Sequence, residues 1–390
     1  MTVVLIAFSD TGGGHRAAAH AIRDALTGEY PQAETHLVDP FALCPRWPFR
    51  SLGNSYPVVI DRAPWLWHAG FSITNTPSRT AFIQRLAWPA MRETFYGIAA
   101  SCAPDVIVST HPLLTAPLRR AFPTTPILVV VTDLITGHVS WYSRDADLTI
   151  VPTPAARDRA IVAGVEKSLL HVLGIPVSEK FVAVPGERDS LRAQLGWSDT
   201  RPTLLLAGGA EGIGPLESLC EAIDTADLPC DIAVVAGRNA ALASRLRSRK
   251  WHGTVHTYDF VNNFSDLMRA ASVLITKAGP GTISEACASG CPMVLYGAIP
   301  GQETGNVEFV TRGRAGVWAP SPLAVTAALH AWLIGRDAPA ALRRVASGAL
   351  RLAKPQAARE IADRVVMLAA SHTDARPGVV TPVTHQIAAA

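Results

Sequence analysis

No apolar run in the 390-residue chain approaches the roughly 18 residues needed to span a bilayer as a helix; Ile127 to Val131 is only a strand's length. The chain is therefore not expected to cross a membrane by itself. The first residues, Thr2 to Phe8, lack a basic leader and run straight into a glycine turn, so they are read as a first strand and not as a signal peptide, with cytoplasmic residence as the expectation. Six cysteines form no C-x-x-C pair, which argues for buried free thiols over disulfides or a zinc site. Charge excess is small as well. A net charge of +3 is too mild to suggest nucleic acid as a partner.

Acidic residues are almost missing from one stretch. Between Arg46 and Arg92 six arginines (Arg46, Arg50, Arg62, Arg79, Arg85, Arg92) face a single acid, Asp61, and Trp47, Phe49, Trp65, Trp67, Phe71, Phe82 and Trp88 lie among them. Arginines interleaved with amphipathic aromatics suit the headgroup level of an anionic bilayer, so this segment is the candidate membrane surface. A stack of core aromatics under solvated arginines is the other reading.

Length and a hydrophobic share of 48% fit two domains. Val3 to Phe8, the turn Ser9 to His15 and a helix from Arg16 to Leu26 open a doubly wound α/β domain. The glycines do not follow G-x-G-x-x-G and Asp39 is a weak candidate for a ribose-binding acid, which argues against a nicotinamide cofactor. Strands follow at 105–109, 127–132, 148–152 and 171–173. After a linker at Gly174 to Val177, with a polar stretch to Gly196, the pattern repeats at 203–206, 232–235, 255–258, 273–276 and 293–296. The expected division is residues 1–175, then 176–355. A last helix over 356–370 is expected to pack back on the first domain, with 371–390 as a disordered tail.

The strongest single signal is Ile275-Thr276-Lys277-Ala278-Gly279-Pro280-Gly281-Thr282-Ile283-Ser284-Glu285-Ala286, followed by Ile299-Pro300-Gly301-Gln302-Glu303-Thr304-Gly305-Asn306. A buried strand, a glycine turn and a helix N-terminus favour a diphosphate. Glu285, one turn in, is placed to accept from ribose hydroxyls. Gln302 and Glu303 suit the hydroxyls of a hexose. A sugar nucleotide is the implied ligand.

These motifs make the chain resemble the monogalactosyldiacylglycerol synthases, lipid glycosyltransferases of family 28 with the GT-B fold of two Rossmann-like domains around a cleft. The resemblance runs from residue 3 to about 368. It is carried by S-D-T-G-G-G-H-R at Ser9 to Arg16, W-P-F at Trp47 to Phe49, V-T-D-L at Val131 to Leu134 with His138 and Trp141, and G-I-P-V at Gly174 to Val177. Further on it rests on G-G-A-E-G-I-G-P at Gly208 to Pro215, G-R-N at Gly237 to Asn239, the two stretches above, and R-L-A-K-P at Arg351 to Pro355. Ala210 departs from the glycine the family pattern leads one to expect. The plastid-targeting extension of plant members is not seen ahead of Val3, so a bacterial cytoplasmic enzyme, peripherally associated with the membrane, is the expectation.

The resemblance implies transfer of galactose from UDP-galactose to the free hydroxyl of 1,2-diacylglycerol, with inversion, giving β-monogalactosyldiacylglycerol. It implies His15 as the base, with Asp133 and His111 in reserve. On the sugar-nucleotide side it implies Gly13, Gly14, Gly209, Arg238, Asn239, Phe260, Lys277, Gly281, Thr282, Glu285, Gln302, Glu303 and Asn306. On the membrane and acceptor side it implies Arg46, Trp47, Phe49, Arg50, Trp65, Trp67, His111 and Trp141. No cofactor and no obligatory metal are expected, although Asp145-Ala146-Asp147 has the spacing of metal-binding carboxylates in the other glycosyltransferase fold. Backbone N–H groups of Gly12 to Gly14 and of Gly281-Thr282, with Arg238 or Lys277, are the expected stabilisers of the leaving diphosphate. Glucose as the donor sugar, a polyprenyl-linked acceptor, a sugar-nucleotide epimerase and a non-catalytic UDP-sugar sensor are the rival readings.

Overall fold

The computed structural model describes residues 1–373 apart from Gly12, Asn54, Tyr56, Pro57, Val58, Asp61 and Arg62. Of the expected tail over 371–390, residues 371–373 instead belong to the last helix, and the remainder lies outside the described residues, as do the expected Gly12 phosphate contact and the expected Arg62 lipid contact.

Twelve strands form two six-stranded, all-parallel sheets. The first is built from β1 (Val3–Ala7), β2 (Glu34–Val38), β3 (Val106–Ser109), β4 (Ile127–Val130), β5 (Leu148–Val151) and β6 (Leu170–Val172), in the order β2-β1-β3-β4-β5-β6. The second contains β7 (Thr203–Ala207), β8 (Asp231–Val235), β9 (Val255–Tyr258), β10 (Val273–Lys277), β11 (Met293–Gly297) and β12 (Gly316–Trp318), ordered β12-β11-β10-β7-β8-β9. Central strands such as Val106–Ser109 and Thr203–Ala207 are buried along their whole length, because helices cover both faces of a parallel sheet. Each sheet accordingly has two apolar cores, one on each side.

In both sheets the winding reverses beside the first strand, between β1 and β3 and between β7 and β10. A reversal leaves a crevice at the carboxyl ends of the two strands, and ligands of open α/β sheets bind there. The loops after β1, β3, β7 and β10 are therefore the ones that matter.

The final helix, Ala357–Thr373, buries Ile361, Ala362 and Val365 against Ile22 and Leu26 of the first helix, Gly14–Glu29. Its small residues Ala358, Ala362 and Ala369 allow the close approach. The polar stretch before Gly196 is not linker throughout. It holds the helix Arg188–Gln194, fixed by buried Leu191 and Trp197 and by the Arg192 guanidinium, which donates to the Ser198 and Ala270 carbonyls. The arginine- and tryptophan-rich segment forms two further helices, Pro64–Thr74 and Pro77–Ser101.

Candidate active site

A cavity of about 330 Å³ opens between the two sheets, lined from both. After β1 the chain turns through Gly13, whose φ of +81° is a conformation glycine adopts without penalty, and enters the first helix at Gly14. Opposite, the helix Pro280–Ala288 starts directly after β10. A Cβ added at Gly281 would stand 4.0 Å from the Gly14 Cα, so the two helix N-termini face one another. Their unpaired N–H groups and dipoles give the cleft a positive potential suited to an anion.

His15 stands at this junction. Its Nδ1 lies 2.8 Å from the Thr110 carbonyl oxygen and 2.9 Å from the Thr132 hydroxyl. A carbonyl only accepts, so Nδ1 carries the proton and Nε2 is left as the lone-pair nitrogen on a ring that lines the cleft. Burial lowers its pKa to about 4, opposed by the Thr110 hydrogen bond, so the ring is neutral at pH 7. The His111 ring packs edge-on behind it at 4.7 Å, and Trp141 lies at 5.8 Å.

Asp133, just beyond β4, is buried. Its Oδ2 accepts the Trp141 indole N–H at 2.7 Å and its Oδ1 accepts the Gln302 amide at 3.2 Å. Burial raises its pKa to about 6, against the pull of these two hydrogen bonds. The Gln302 contact joins the two domains, and the Thr136 hydroxyl adds a second tie to the Gln302 carbonyl. Beside it Glu303, buried, accepts from Lys277 Nζ at 2.9 Å and from the Ile299 N–H at 2.9 Å. Gln302 Oε1 is buried with no partner among the described residues.

Glu285 lines the cleft without a hydrogen bond or ion pair of its side chain among the described residues, and burial raises its pKa to about 7. A partly desolvated carboxylate with nothing to hold it is costly unless a ligand supplies donors. Gly209, with φ +79°, and Phe260 form the neighbouring wall. The Arg238 guanidinium lies 4.9 Å over the Phe260 ring and pairs with Glu211. Thr282 and Lys277 complete this side.

Several expected contacts are corrected. Asn239 caps the helix Ala240–Ser248, its side chain accepting from the Leu242 N–H at 3.0 Å, and so does not line the cleft. Asn306 is buried and donates to the Ala278 carbonyl, fixing the loop after β10. Trp141 is wholly buried and cannot meet a bilayer; it orients Asp133. His111 is buried behind His15, between that ring and Phe41. Phe49 stacks on Phe41 in the first-domain core. Asp39 caps the helix Pro40–Leu43 through its N–H groups. Asp147 accepts from the Ile127 N–H and pairs with Arg119, a structural arrangement.

Other side chains of the arginine-rich segment are at the surface. Trp47 is 81% exposed, Trp65 71%, Phe82 66% and Leu86 72%, with Leu66, Ile73 and Ile83 also exposed. Arg50 is exposed, and Arg46 pairs with Glu93 at 3.2 Å; Trp67 is half-buried. No helix among the described residues is long and apolar enough to cross a membrane. Sequence reading missed Thr110 and Thr132, which hold His15. Thr132 lay in plain sight inside the Val131 to Leu134 motif, whereas Thr110 acts through its backbone and left no trace.

The two-sheet architecture is shared with crystal structures that the chain resembles over nearly its whole length. They include MurG of Acinetobacter baumannii (15% identity, TM-score 0.61, covering 94% of this chain and 100% of that one). Another is a putative UDP-N-acetylglucosamine 2-epimerase of Listeria monocytogenes (15%, TM-score 0.64, 96% and 97%). Fold and family profile define the class as an enzyme, a GT-B glycosyltransferase: residues 204–305 match the glycosyltransferase family 28 C-terminal domain. Residues 15–177 match the monogalactosyldiacylglycerol (MGDG) synthase profile. The chain is 34% identical to the probable monogalactosyldiacylglycerol synthase 2, chloroplastic, of Oryza sativa subsp. japonica, over 98% of this chain and 83% of that one. It is 34% identical to monogalactosyldiacylglycerol synthase 1, chloroplastic, of Arabidopsis thaliana, over 92% and 69%. The chain belongs to the monogalactosyldiacylglycerol synthase family.

Proposed function

We propose that the chain transfers galactose from UDP-galactose to the free hydroxyl of 1,2-diacylglycerol, with inversion, giving the β-glycolipid. The observation that carries the reading is His15, held as a neutral Nδ1–H tautomer with Nε2 left as the acceptor on a ring that lines the cleft. The diacylglycerol hydroxyl gives its proton to Nε2 as its oxygen attacks the anomeric carbon. The bond to the diphosphate oxygen breaks on the opposite face, so one base suffices and no covalent intermediate forms. Charge developing on the diphosphate is met by the N–H groups at Gly14 and at Gly281-Thr282 and by Lys277, without calling on a divalent ion.

UDP lies against the second sheet in this proposal. Glu285 accepts from the ribose hydroxyls, and Phe260 with its Arg238 partner walls the uracil. Gln302 and Glu303 read the hexose, pre-set by Asp133 and Lys277. The acceptor comes from a membrane on which Trp47, Trp65, Phe82 and Leu86 rest, with Arg46 and Arg50 at the headgroups. In this proposal the protein rests on the membrane surface, with its catalytic cleft on the aqueous side.

Purified protein incubated with diacylglycerol vesicles and either UDP-galactose or UDP-glucose tests the proposal. Galactolipid from the first donor, lost in His15→Ala with UDP-galactose binding retained, is the expected result. Glucolipid alone would overturn the donor assignment, and normal turnover by His15→Ala would overturn the base.

A further inference from the structure

We infer that a second ligand site lies on the far edge of the C-terminal domain, and that it takes a phosphate-bearing anion with an apolar part. A cavity of about 620 Å³ opens beside edge strand β12, between the loop that precedes it and the helices Pro322–Leu333 and Ala338–Leu352. Arg314, Arg343, Arg344 and Arg351 line it, over a floor that includes Trp332 and Val345. None of its described lining residues is acidic.

Several other arginines of the same domain are paired with acids: Arg245 with Glu217 at 2.7 Å, Arg247 with Asp259 at 2.6 Å, Arg269 with Asp266 at 2.7 Å, and Arg249 with Glu221. Among the described residues, none of the four cavity arginines has a hydrogen bond or ion pair from its side chain. Four like charges gathered at one concavity repel, and an anion removes that repulsion. Guanidinium groups meet phosphate oxygens through paired N–H donors, and several together supply what a single exposed pair does not.

Arg314 has φ +54° in the left-handed turn that ends the helix Thr304–Arg312, where the Ala315 N–H returns to the Val310 carbonyl. Gly348 lets the Ala338–Leu352 helix press against the Arg314 carbonyl, where any Cβ would collide. Arg314 is thereby set beside the helix that carries the other three arginines. The cavity is of small-molecule size, larger than an inorganic ion needs, and its apolar floor calls for a ligand with more than a phosphate.

The test titrates the full chain, saturated with UDP so that the catalytic cleft is occupied, by calorimetry. One arm uses phenyl phosphate, a soluble phosphomonoester, and the other phosphatidylcholine vesicles with and without a phosphomonoester lipid. The variant is Arg343→Gln/Arg344→Gln, and the control Arg245→Gln/Arg249→Gln removes the same charge from the neighbouring face. One-to-one binding in either arm, weakened at least tenfold in the first variant and within twofold in the control, is expected. The arm that responds tells a free phosphate from a lipid headgroup. Absence of saturable binding in both arms, or equal loss in both variants, overturns the inference. Should the double variant fail to fold, Arg344→Gln alone carries the comparison.

Discussion

In the proposed reaction the tautomer of one imidazole decides which nitrogen takes the acceptor's proton. With Nδ1–H engaged by the Thr110 carbonyl and a pKa of about 4, His15 is a free base across the neutral range. His15→Ala is expected to lower kcat by about 10²- to 10⁴-fold and to change UDP-galactose affinity less than threefold, measured by initial rates and calorimetry. Glu285 carries the opposite burden. Its folded-state pKa of about 7 lies above that of an ordinary glutamate, so its ionisation in the empty cleft destabilises the fold, and that cost grows as pH rises from the unfolded value to about 7. Glu285→Gln is therefore expected to raise the melting temperature of the ligand-free protein at pH 8, by about 1–2 kcal/mol of stability. The same change should weaken UDP-galactose binding. In the native protein, affinity for that ligand should fall several-fold from pH 8 to pH 6 as Glu285 protonates, and in Glu285→Gln this dependence should vanish. That His15, Glu285 and Gln302-Glu303 would line one cleft was legible, because each sits within a few residues of its glycine turn. Thr110 and Trp141 were not, since one works through a carbonyl 95 residues from its partner and the other through a buried indole that sequence alone places as readily at a membrane.

At the scale of elements, strand-turn-helix joints were legible and single-strand edges were not. Apolar β-branched runs such as Val106 to Ser109 announce buried parallel strands. β12 has only three residues, Gly316–Trp318, too few for any period, and its partner β11 is what makes it a strand. The segment between β2 and β3 was read by composition alone. Its aromatics divide: Phe49 and Trp88 pack inward while Trp65, Phe82, Ile83 and Leu86 point to solvent from two adjoining helices. These exposed residues contribute little to folding, so Trp65→Ser/Phe82→Ser/Leu86→Ser is expected to leave the melting temperature within about 3 °C while cutting vesicle co-sedimentation at least tenfold. Replacing Arg46 and Arg50 by glutamine should reduce binding to anionic vesicles only, and less at high salt.

The whole molecule is two wound sheets tied by the return of the last helix and by contacts across the cleft. Ile361 is fully buried against the first helix, and Ile361→Ala is expected to cost about 2–4 kcal/mol in thermal unfolding, a loss set in the first domain although the residue lies near the chain's end. Across the cleft, the bonds from Gln302 to Asp133 and from Thr136 to Gln302 hold the loop of Gln302 and Glu303 against the domain that holds His15. In the proposed reaction the acceptor hydroxyl, with His15 beside it, and the leaving diphosphate stand on opposite sides of the anomeric carbon. Such an arrangement permits displacement from one face. The anomeric configuration of the glycolipid made from UDP-galactose and diacylglycerol vesicles, read by proton NMR, is the most direct measure of it. A β-linked galactolipid is predicted; an α-linked product, or none, would contradict the account.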